Sequence, residues 1–177
     1  MQPCNPAAAA TGHHDRADGL PIRLRPTRPG DLPALFELQC DPECNAMAGT
    51  KPRTREAFFA AWEGFFGNPN INGRVIETDG EGGPQIVGRI ACFQADGANC
   101  VGYWIARQHW GKGIASRALA MFLQEEPRRP LHATTDSGNA TSRHILAKRG
   151  FRFMGLRMGE ETDRFLAREI AEYVLTS

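Results

Sequence analysis

The chain has 177 residues, a hydrophobic fraction of 41% and a formal net charge of +1, which is typical of one soluble globular domain. Its 21 lysine and arginine residues are scattered among 20 aspartate and glutamate residues, so we expect no nucleic-acid partner. No apolar run approaches the roughly 18 residues that a membrane span needs, and the first residues lack the pattern of a signal peptide. We therefore expect a cytoplasmic protein without a membrane partner.

Residues 1–20 are rich in alanine, glycine and proline and offer little to bury, so they are predicted to be a disordered tail. Residues 21–177 are predicted to form a single domain. Ile22–Arg25 alternates apolar with basic residues and predicts the first strand. Pro29-Gly30-Asp31 then opens a helix that runs to about Gln39, and residues 41–52 look irregular.

Thr54 is predicted to cap a second helix, in which aromatic residues recur at three- and four-residue spacing. These residues are Phe58, Phe59, Trp62, Phe65 and Phe66. Such a stripe is typical of a core-facing helix surface. Arg74–Glu77 and Gln85–Phe93 flank a turn rich in glycine and aspartate, which predicts a hairpin. Asp96-Gly97 marks a second hairpin, whose outgoing strand is Cys100–Ala106.

The cysteines include no Cys-x-x-Cys pair, and their odd number in a cytosolic chain predicts free thiols. They are Cys4, Cys40, Cys44, Cys92 and Cys100. Cys40 and Cys44 are four residues apart, a spacing that would place them on one helix face. Because no histidine stands near them, we expect no metal site.

The apolar strand that ends at Ile105 leads into a glycine turn at Gly111 and Gly113, and a helical pattern follows from Ser116 to Gln124. Glycine lets the backbone approach a ligand, and the free N–H groups of a first helical turn attract anions. This segment predicts a cradle for a pyrophosphate. A second strand, polar turn and helix follow from Leu131 to Gly150. Phe151–Met158 and Glu169–Leu175 then predict the last two strands.

Together these units resemble the GNAT superfamily of acyl-CoA-dependent N-acetyltransferases. The family's loop pattern, Gln/Arg-x-x-Gly-x-Gly/Ala, matches Gln108-His109-Trp110-Gly111-Lys112-Gly113 in full. The sequence is also similar to the RimJ/RimL-type branch, which acetylates protein N-termini and small amines. The residues that carry this second resemblance are Asn139, Ser142, Lys148, Gly150 and Phe151. A dinucleotide-binding enzyme would need a Gly-x-Gly-x-x-Gly turn, which the chain lacks.

The resemblance implies an α/β fold, with a mixed, mostly antiparallel sheet of about seven strands and about four flanking helices. The sheet would be splayed between strands 4 and 5, and the two strand-turn-helix units would add parallel pairing. Acetyl-CoA would be the cosubstrate, with its pantetheine arm paired with the backbone of residues 105–107. The implied cofactor-binding residues are Ile105, Ala106, Arg107, Gln108, His109, Trp110, Gly111, Lys112, Gly113, Ile114, Ala115, Asn139 and Ser142.

The implied reaction is direct attack of a primary amine on the thioester, which needs a proton donor for the thiolate and a base for the amine. Many family members place a tyrosine where this chain has Leu146, so Ser142 is the candidate hydroxyl. Glu161, in the turn before the last strand, is the candidate base. Its rivals are Glu77, Asp136 and His132.

Several alternatives stay open at this point. The acceptor is either a protein N-terminus or a small amine, and some aromatic rings of the second helix or the 41–50 loop would contact it. A non-catalytic acyl-CoA sensor of the same fold is the second functional class. Edge-strand pairing would allow a homodimer, although Glu169–Glu172 shows only a faint apolar alternation.

Overall fold

The computed structural model describes residues 19–177, so the predicted tail and Cys4 lie outside the described residues, apart from Gly19 and Leu20. Seven strands form one sheet in the order β1-β2-β3-β4-β5-β7-β6. The strands are β1 (Ile22–Pro26), β2 (Asn72–Gly80), β3 (Gly83–Ala95), β4 (Ala98–Ile105), β5 (Leu131–Asp136), β6 (Arg152–Met158) and β7 (Glu169–Leu175). The helices are α1 (Leu32–Cys40), α2 (Pro42–Ala48), α3 (Arg55–Phe66), α4 (Ile114–Glu125) and α5 (Ala140–Lys148).

Strands β1 to β4 form an antiparallel meander, and β4 is parallel to β5. This agrees with the predicted fold class and with the first parallel crossover. The second crossover was expected to add another parallel pair. Instead, β7 lies between β5 and β6 and is antiparallel to both. Since β7 is interior, the edge pairing considered at Glu169–Glu172 is not available to that strand.

The sheet opens between β4 and β5, as predicted. These two strands share a single registered pair, Cys100 with His132, whereas β4 stays paired with β3 along its whole length. Ala106 donates its N–H to the Val87 carbonyl at 2.8 Å, on the β3 side. Because backbone groups alternate sides along a strand, Tyr103 and Ile105 direct their N–H groups toward the opening.

Helices cover both faces of the sheet. On one face, α4 and α5 bury Leu119, Phe122 and Leu146 against residues of the central strands. On the other face, α1 and α3 pack against Val75 of β2. The aromatic stripe is confirmed as core at Phe58 and Trp62, which are buried, while Phe66 at the end of α3 is exposed.

The segment predicted to be irregular, residues 41–52, contains helix α2, so five helices flank the sheet within residues 19–177 instead of about four. Asp41 caps it by accepting hydrogen bonds from the N–H groups of Glu43 and Cys44, Pro42 occupies its first turn, and Gly49 ends it with φ of 64°. Because Cys40 ends α1 while Cys44 lies in α2, the expectation of a shared helix face was wrong.

The four described cysteines are Cys40, Cys44, Cys92 and Cys100, and all are free. Among the described helices, none combines the length and apolarity that crossing a bilayer requires. Within residues 19–177, no three histidine, cysteine or carboxylate side chains converge as a metal site would require.

Candidate active site

A cavity of about 420 Å³ lies where the sheet opens. The end of β4, the loop after it, α2, the first turn of α4 and one side of α5 form its walls. Most of the predicted cofactor-binding residues line this cavity. They are Ile105, His109, Trp110, Gly111, Gly113, Ile114, Ala115, Asn139 and Ser142. Four other predicted residues do not line it, namely Ala106, Arg107, Gln108 and Lys112.

The glycine loop has the geometry of an anion cradle. Gly111 and Gly113 adopt positive φ angles of 73° and 68°, a conformation that other residues adopt only with strain. A Cβ added at either glycine would meet no atom within 4 Å, so the space above the loop is free. Gly113 is the N-cap residue of helix α4 and offers no side chain to cap it, which leaves the first N–H groups of the helix for an anionic ligand.

Two aromatic residues of the loop shape the cavity wall. The Trp110 indole donates a hydrogen bond to the Ile105 carbonyl at 2.9 Å, which uses an acceptor that the resemblance had left for pantetheine. The His109 Nδ1 atom is buried without a hydrogen-bond partner. Burial, reinforced by Lys112, lowers the pKa of His109. A neutral ring with an unpaired polar atom suits a wall that a polar ligand completes.

The charged residues of the loop contribute less to the attraction of an anion than their number suggests. The Arg107 guanidinium binds Asp41 at 3.1 Å and Glu43 at 2.9 Å, so its charge is matched on α2. Gln108 and Lys112 are exposed. Lys148 on α5 lines the cavity. The backbone of the loop, with the dipole of α4, is therefore the main source of attraction for an anion.

Asn139 serves the fold and faces the cavity at once. Its Oδ1 accepts the Ser142 N–H at 3.0 Å and caps α5, a role that asparagine commonly has at helix N-termini. This bond leaves the Asn139 amide nitrogen to act as a donor. Both Asn139 and Ser142 also line a second cavity of about 130 Å³, which occupies the opening between β4 and β5.

Sequence reasoning missed Tyr103, which lines both cavities. Its hydroxyl is buried without a hydrogen-bond partner, and the nearby Ser142 side chain acts to lower its pKa. Burial has the larger effect and raises the pKa of Tyr103 above its ordinary value. The alternation of side chains along β4 places Tyr103 on the face of Ile105, and this period-two pattern was the signal available in the sequence.

The candidate bases lie in different surroundings. Glu161 is exposed, binds Lys51 at 2.7 Å and lines neither cavity, and Lys51 lowers the pKa of Glu161. Glu77 pairs with Arg25 on the edge strand. Asp136 lines the second cavity, where it binds Arg168 at 3.2 Å. The fourth candidate, His132, lies on β5.

Residues 22–152 match the family described as acetyltransferase (GNAT) domain. The match covers most of the chain and includes the glycine loop, Asn139 and Ser142. The chain therefore belongs to the GNAT acetyltransferase family, and it is an acyltransferase that uses acetyl-CoA as its cosubstrate. No curated protein matches it at a significant level.

Solved structures support the family assignment. RimJ of Mycobacterium smegmatis in complex with CoA-disulfide is 25% identical, with a TM-score of 0.70 over 90% of this chain and 84% of that one. Spermidine N-acetyltransferase of Vibrio cholerae with CoA and spermine is 16% identical, with a TM-score of 0.69 over 88% and 95%. The microcin C7 self-immunity acetyltransferase MccE with acetyl-CoA and AMP is also 16% identical, with a TM-score of 0.71 over 91% and 94%. The last two show the shared fold alone.

Proposed function

We propose that the chain transfers the acetyl group of acetyl-CoA to a primary amine by direct attack in a ternary complex. The acceptor is a protein N-terminal amine or a small-molecule amine. The observation that carries this proposal is that an anion cradle and an unpaired strand edge meet in one cavity. The 25% identity to RimJ supports the RimJ/RimL-like branch, and the cytoplasmic location remains a prediction from the sequence.

The pantetheine arm would pair with other backbone groups of β4 than the family resemblance implied. The Ala106 N–H is bound to β3 and the Ile105 carbonyl to Trp110. The N–H groups of Tyr103 and Ile105 and the Tyr103 carbonyl would therefore pair with the pantetheine amides. The residues from Gly111 to Ala115 would hold the pyrophosphate. The free amide nitrogen of Asn139 would add a donor from α5.

Tyr103 is the best-placed proton donor. Acetyl-CoA supplies a thioester carbon to which the amine nitrogen binds, while the carbon–sulfur bond breaks and the sulfur needs a proton. Because burial raises the pKa of Tyr103, its hydroxyl keeps its proton at neutral pH. Ser142, on the opposite wall of the opening, would orient that hydroxyl. Ser142 is thus proposed as a partner of the donor.

The proton released by the amine requires an acceptor, and two carboxylates compete for that role. Glu161 remains our proposed base, and its lowered pKa keeps it ionised at neutral pH. Its ion pair with Lys51 and its place outside both cavities require a water chain between it and the amine. Asp136 is the rival that lies directly on the second cavity.

The test of the function is release of CoA thiol from acetyl-CoA, with the full chain and a panel of polyamines, amino acids, aminoglycosides and peptides with varied N-termini. Release with one class of acceptor would establish the reaction and name the substrate class. Tight binding of acetyl-CoA without release for any amine would contradict the proposal and support a sensor.

Variants separate the proton donor from the base. Tyr103→Phe removes only the hydroxyl, so turnover should fall by about 100-fold or more while the affinity for acetyl-CoA stays the same. Turnover is measured by thiol release, and affinity by titration calorimetry.

Glu161→Gln should lower turnover at neutral pH, again without a change in cofactor affinity.

Asp136→Asn is the comparison for the base. If turnover falls with Asp136→Asn and stays at the wild-type rate with Glu161→Gln, the base lies on β5 and the Glu161 assignment is wrong. Wild-type turnover of Tyr103→Phe would remove Tyr103 from the mechanism.

A further inference from the structure

Three arginines from distant parts of the sequence are close enough to repel one another, and one of them, Arg89, lies on the face of the sheet covered by α1 and α3. Arg53 precedes α3, Arg89 lies in the middle of β3, and Arg164 lies in the loop between β6 and β7. All three are half-buried. The inference drawn from them rests on the proposed function, since it concerns the amine acceptor of that reaction.

Arg89 occupies the centre of this group. Its neighbours across the sheet are Val75 on β2 and Trp104 on β4, and its guanidinium lies 5.8 Å from the centre of the Trp62 ring. Within residues 19–177, its guanidinium forms no hydrogen bond or ion pair, yet its nitrogens are not sealed from solvent. These nitrogens are therefore still able to form hydrogen bonds.

The other two arginines are fixed by their backbones. The buried Gln39 side chain binds both the N–H and the carbonyl of Arg53, each at 3.0 Å. Lys51 donates its N–H to the Arg164 carbonyl at 2.8 Å, and the Arg164 guanidinium donates back to the Lys51 carbonyl. The arginines are thus presented by rigid segments, which reduces the entropy lost when a ligand binds.

The charges of this group are not compensated by the described part of the chain. No described carboxylate forms an ion pair with any of the three guanidiniums. Glu161 is paired with Lys51, and Asp136 is paired with Arg168. Burial, with repulsion from Arg53, lowers the pKa of Arg89 to about 10. Burial also lowers the pKa of Arg164 to about 10, and Arg53 and Arg89 add to the effect. Half-buried charges of one sign are costly unless an anion joins them.

None of the three arginines lines either cavity, but Arg89 lies directly beside a residue that does. The loop, α4 and α5 belong to one face of the sheet, and Arg89 belongs to the other. Trp104, its partner on β4, lines the cavity, as do Cys44 and Met47 of α2. The chain then passes from α2 directly to Lys51 and Arg53. An acceptor that reached the opening between β4 and β5 from this face would pass Trp104 and its neighbour Arg89.

We propose that Arg53, Arg89 and Arg164 form an anion-binding subsite, and that the acceptor is a primary amine that carries a carboxylate or a phosphate group. Arginine suits this role because its planar fork binds either oxyanion through two hydrogen bonds and stays charged at neutral pH. The same charges repel polyamines and other purely cationic amines, so they select against that class of acceptor.

The experiment uses pairs of amines that differ only in the anionic group. Tyrosine and tyramine test the carboxylate, and phosphoethanolamine and ethanolamine test the phosphate. Binding to the full chain is measured without acetyl-CoA, by calorimetry and by the fluorescence of the tryptophans. In at least one pair, the anionic member should bind about tenfold or more tightly, and added salt should reduce the difference.

Arg89→Met tests the subsite and keeps the apolar stem of the side chain. It should lower the affinity for the anionic member of the pair about tenfold. The affinities for the member without the anionic group and for acetyl-CoA should stay the same. Arg53→Met should act in the same direction. Arg23→Met, an exposed arginine paired with Asp79 on the edge strand, is the control and should change nothing. Thermal unfolding checks that each variant is folded.

Equal binding within both pairs would overturn the subsite, as would an Arg89→Met variant that weakens both members alike. These outcomes are separate from failure of the proposed reaction. If uncharged amines or peptides with neutral side chains release CoA as fast as the anionic amines, acetyl transfer stands and the anion subsite is wrong. If anionic amines bind through Arg89 but none releases CoA, the subsite stands and the proposed reaction is wrong.

Discussion

Gly113 unites two properties of the site at one residue. Its positive φ turns the loop so that α4 can begin, and the missing side chain leaves the space above the first helical N–H groups free. Gly97, in the β3–β4 hairpin, has the same two local properties, with φ of 76° and no atom within 4 Å of an added Cβ. Gly97 lies outside the proposed site, because it lines neither cavity.

Gly113→Ala and Gly97→Ala therefore form a matched pair. Each should cost about 1 kcal/mol of stability through backbone strain. Only Gly113→Ala should also weaken acetyl-CoA binding, by about tenfold or more, because its methyl group enters the space where the phosphates would lie. Calorimetric titration and thermal unfolding measure the two effects. Equal affinities for acetyl-CoA in both variants would disprove the cradle assignment.

How far single residues could be predicted depended on how local their roles are. The glycines of the loop and the capping Asn139 were predictable, because both signals lie within a few residues of the sequence. The role proposed for Arg89 could not be predicted, since its surroundings depend on Trp62 and on segments that meet it only in the folded chain. The role of Glu161 stays a prediction for the same reason.

At the scale of elements, a buried carboxylate joins the end of α4 to the start of β2. Glu126 is 2% exposed; it accepts hydrogen bonds from Arg128 Nε and Nη2, each at 2.7 Å, and from the Asn72 side chain at 2.9 Å. These bonds, Arg128 foremost, lower the pKa of Glu126 from 4.5 to about 2. The resulting stability is present above pH 4.5 and is lost as the pH falls through about 2.

Glu126→Gln should lower the free energy of unfolding by about 2 kcal/mol at neutral pH, because it leaves Arg128 partly buried without its charge partner. The loss should shrink as the pH falls from 4.5 to 2, where the wild-type carboxyl takes up its proton. Denaturant unfolding across this range measures both. Glu125→Gln removes an exposed ion pair with Arg74, and its free energy of unfolding should stay within about 0.5 kcal/mol of the wild-type value. Equal losses of unfolding free energy in the two variants would contradict the role given to Glu126.

Helix α2 shows what the sequence offered and what was overlooked. Asp41 before Pro42, with a glycine at position 49, is a helix start and stop signal, yet the segment was predicted to be irregular. The position of β7 was a different case. Its boundaries were predicted at Glu169–Leu175 and agree with the structure, but insertion between β5 and β6 depends on pairing between distant segments, which local patterns do not encode.

At the scale of the whole molecule, the described sheet has two edges, β1 and β6. A homodimer built by strand pairing would have to use one of them, and the homodimer remains a prediction. The family resemblance predicted the opening between β4 and β5 correctly. Composition and periodicity alone would not have revealed it, because a strand with a missing neighbour has the same sequence pattern as a fully paired one.

The single registered pair between β4 and β5 means that the two halves of the sheet are joined weakly along this line. A ligand that binds there adds its binding free energy to the free energy of unfolding, about 2.7 kcal/mol at 100 times its dissociation constant. The unfolding temperature should therefore rise by about 5–10 °C across a titration with acetyl-CoA, measured by thermal scans. An unfolding temperature that is independent of acetyl-CoA would contradict binding in the opening. The lifetime of the folded chain in a cell would then follow the cell's supply of activated acetate.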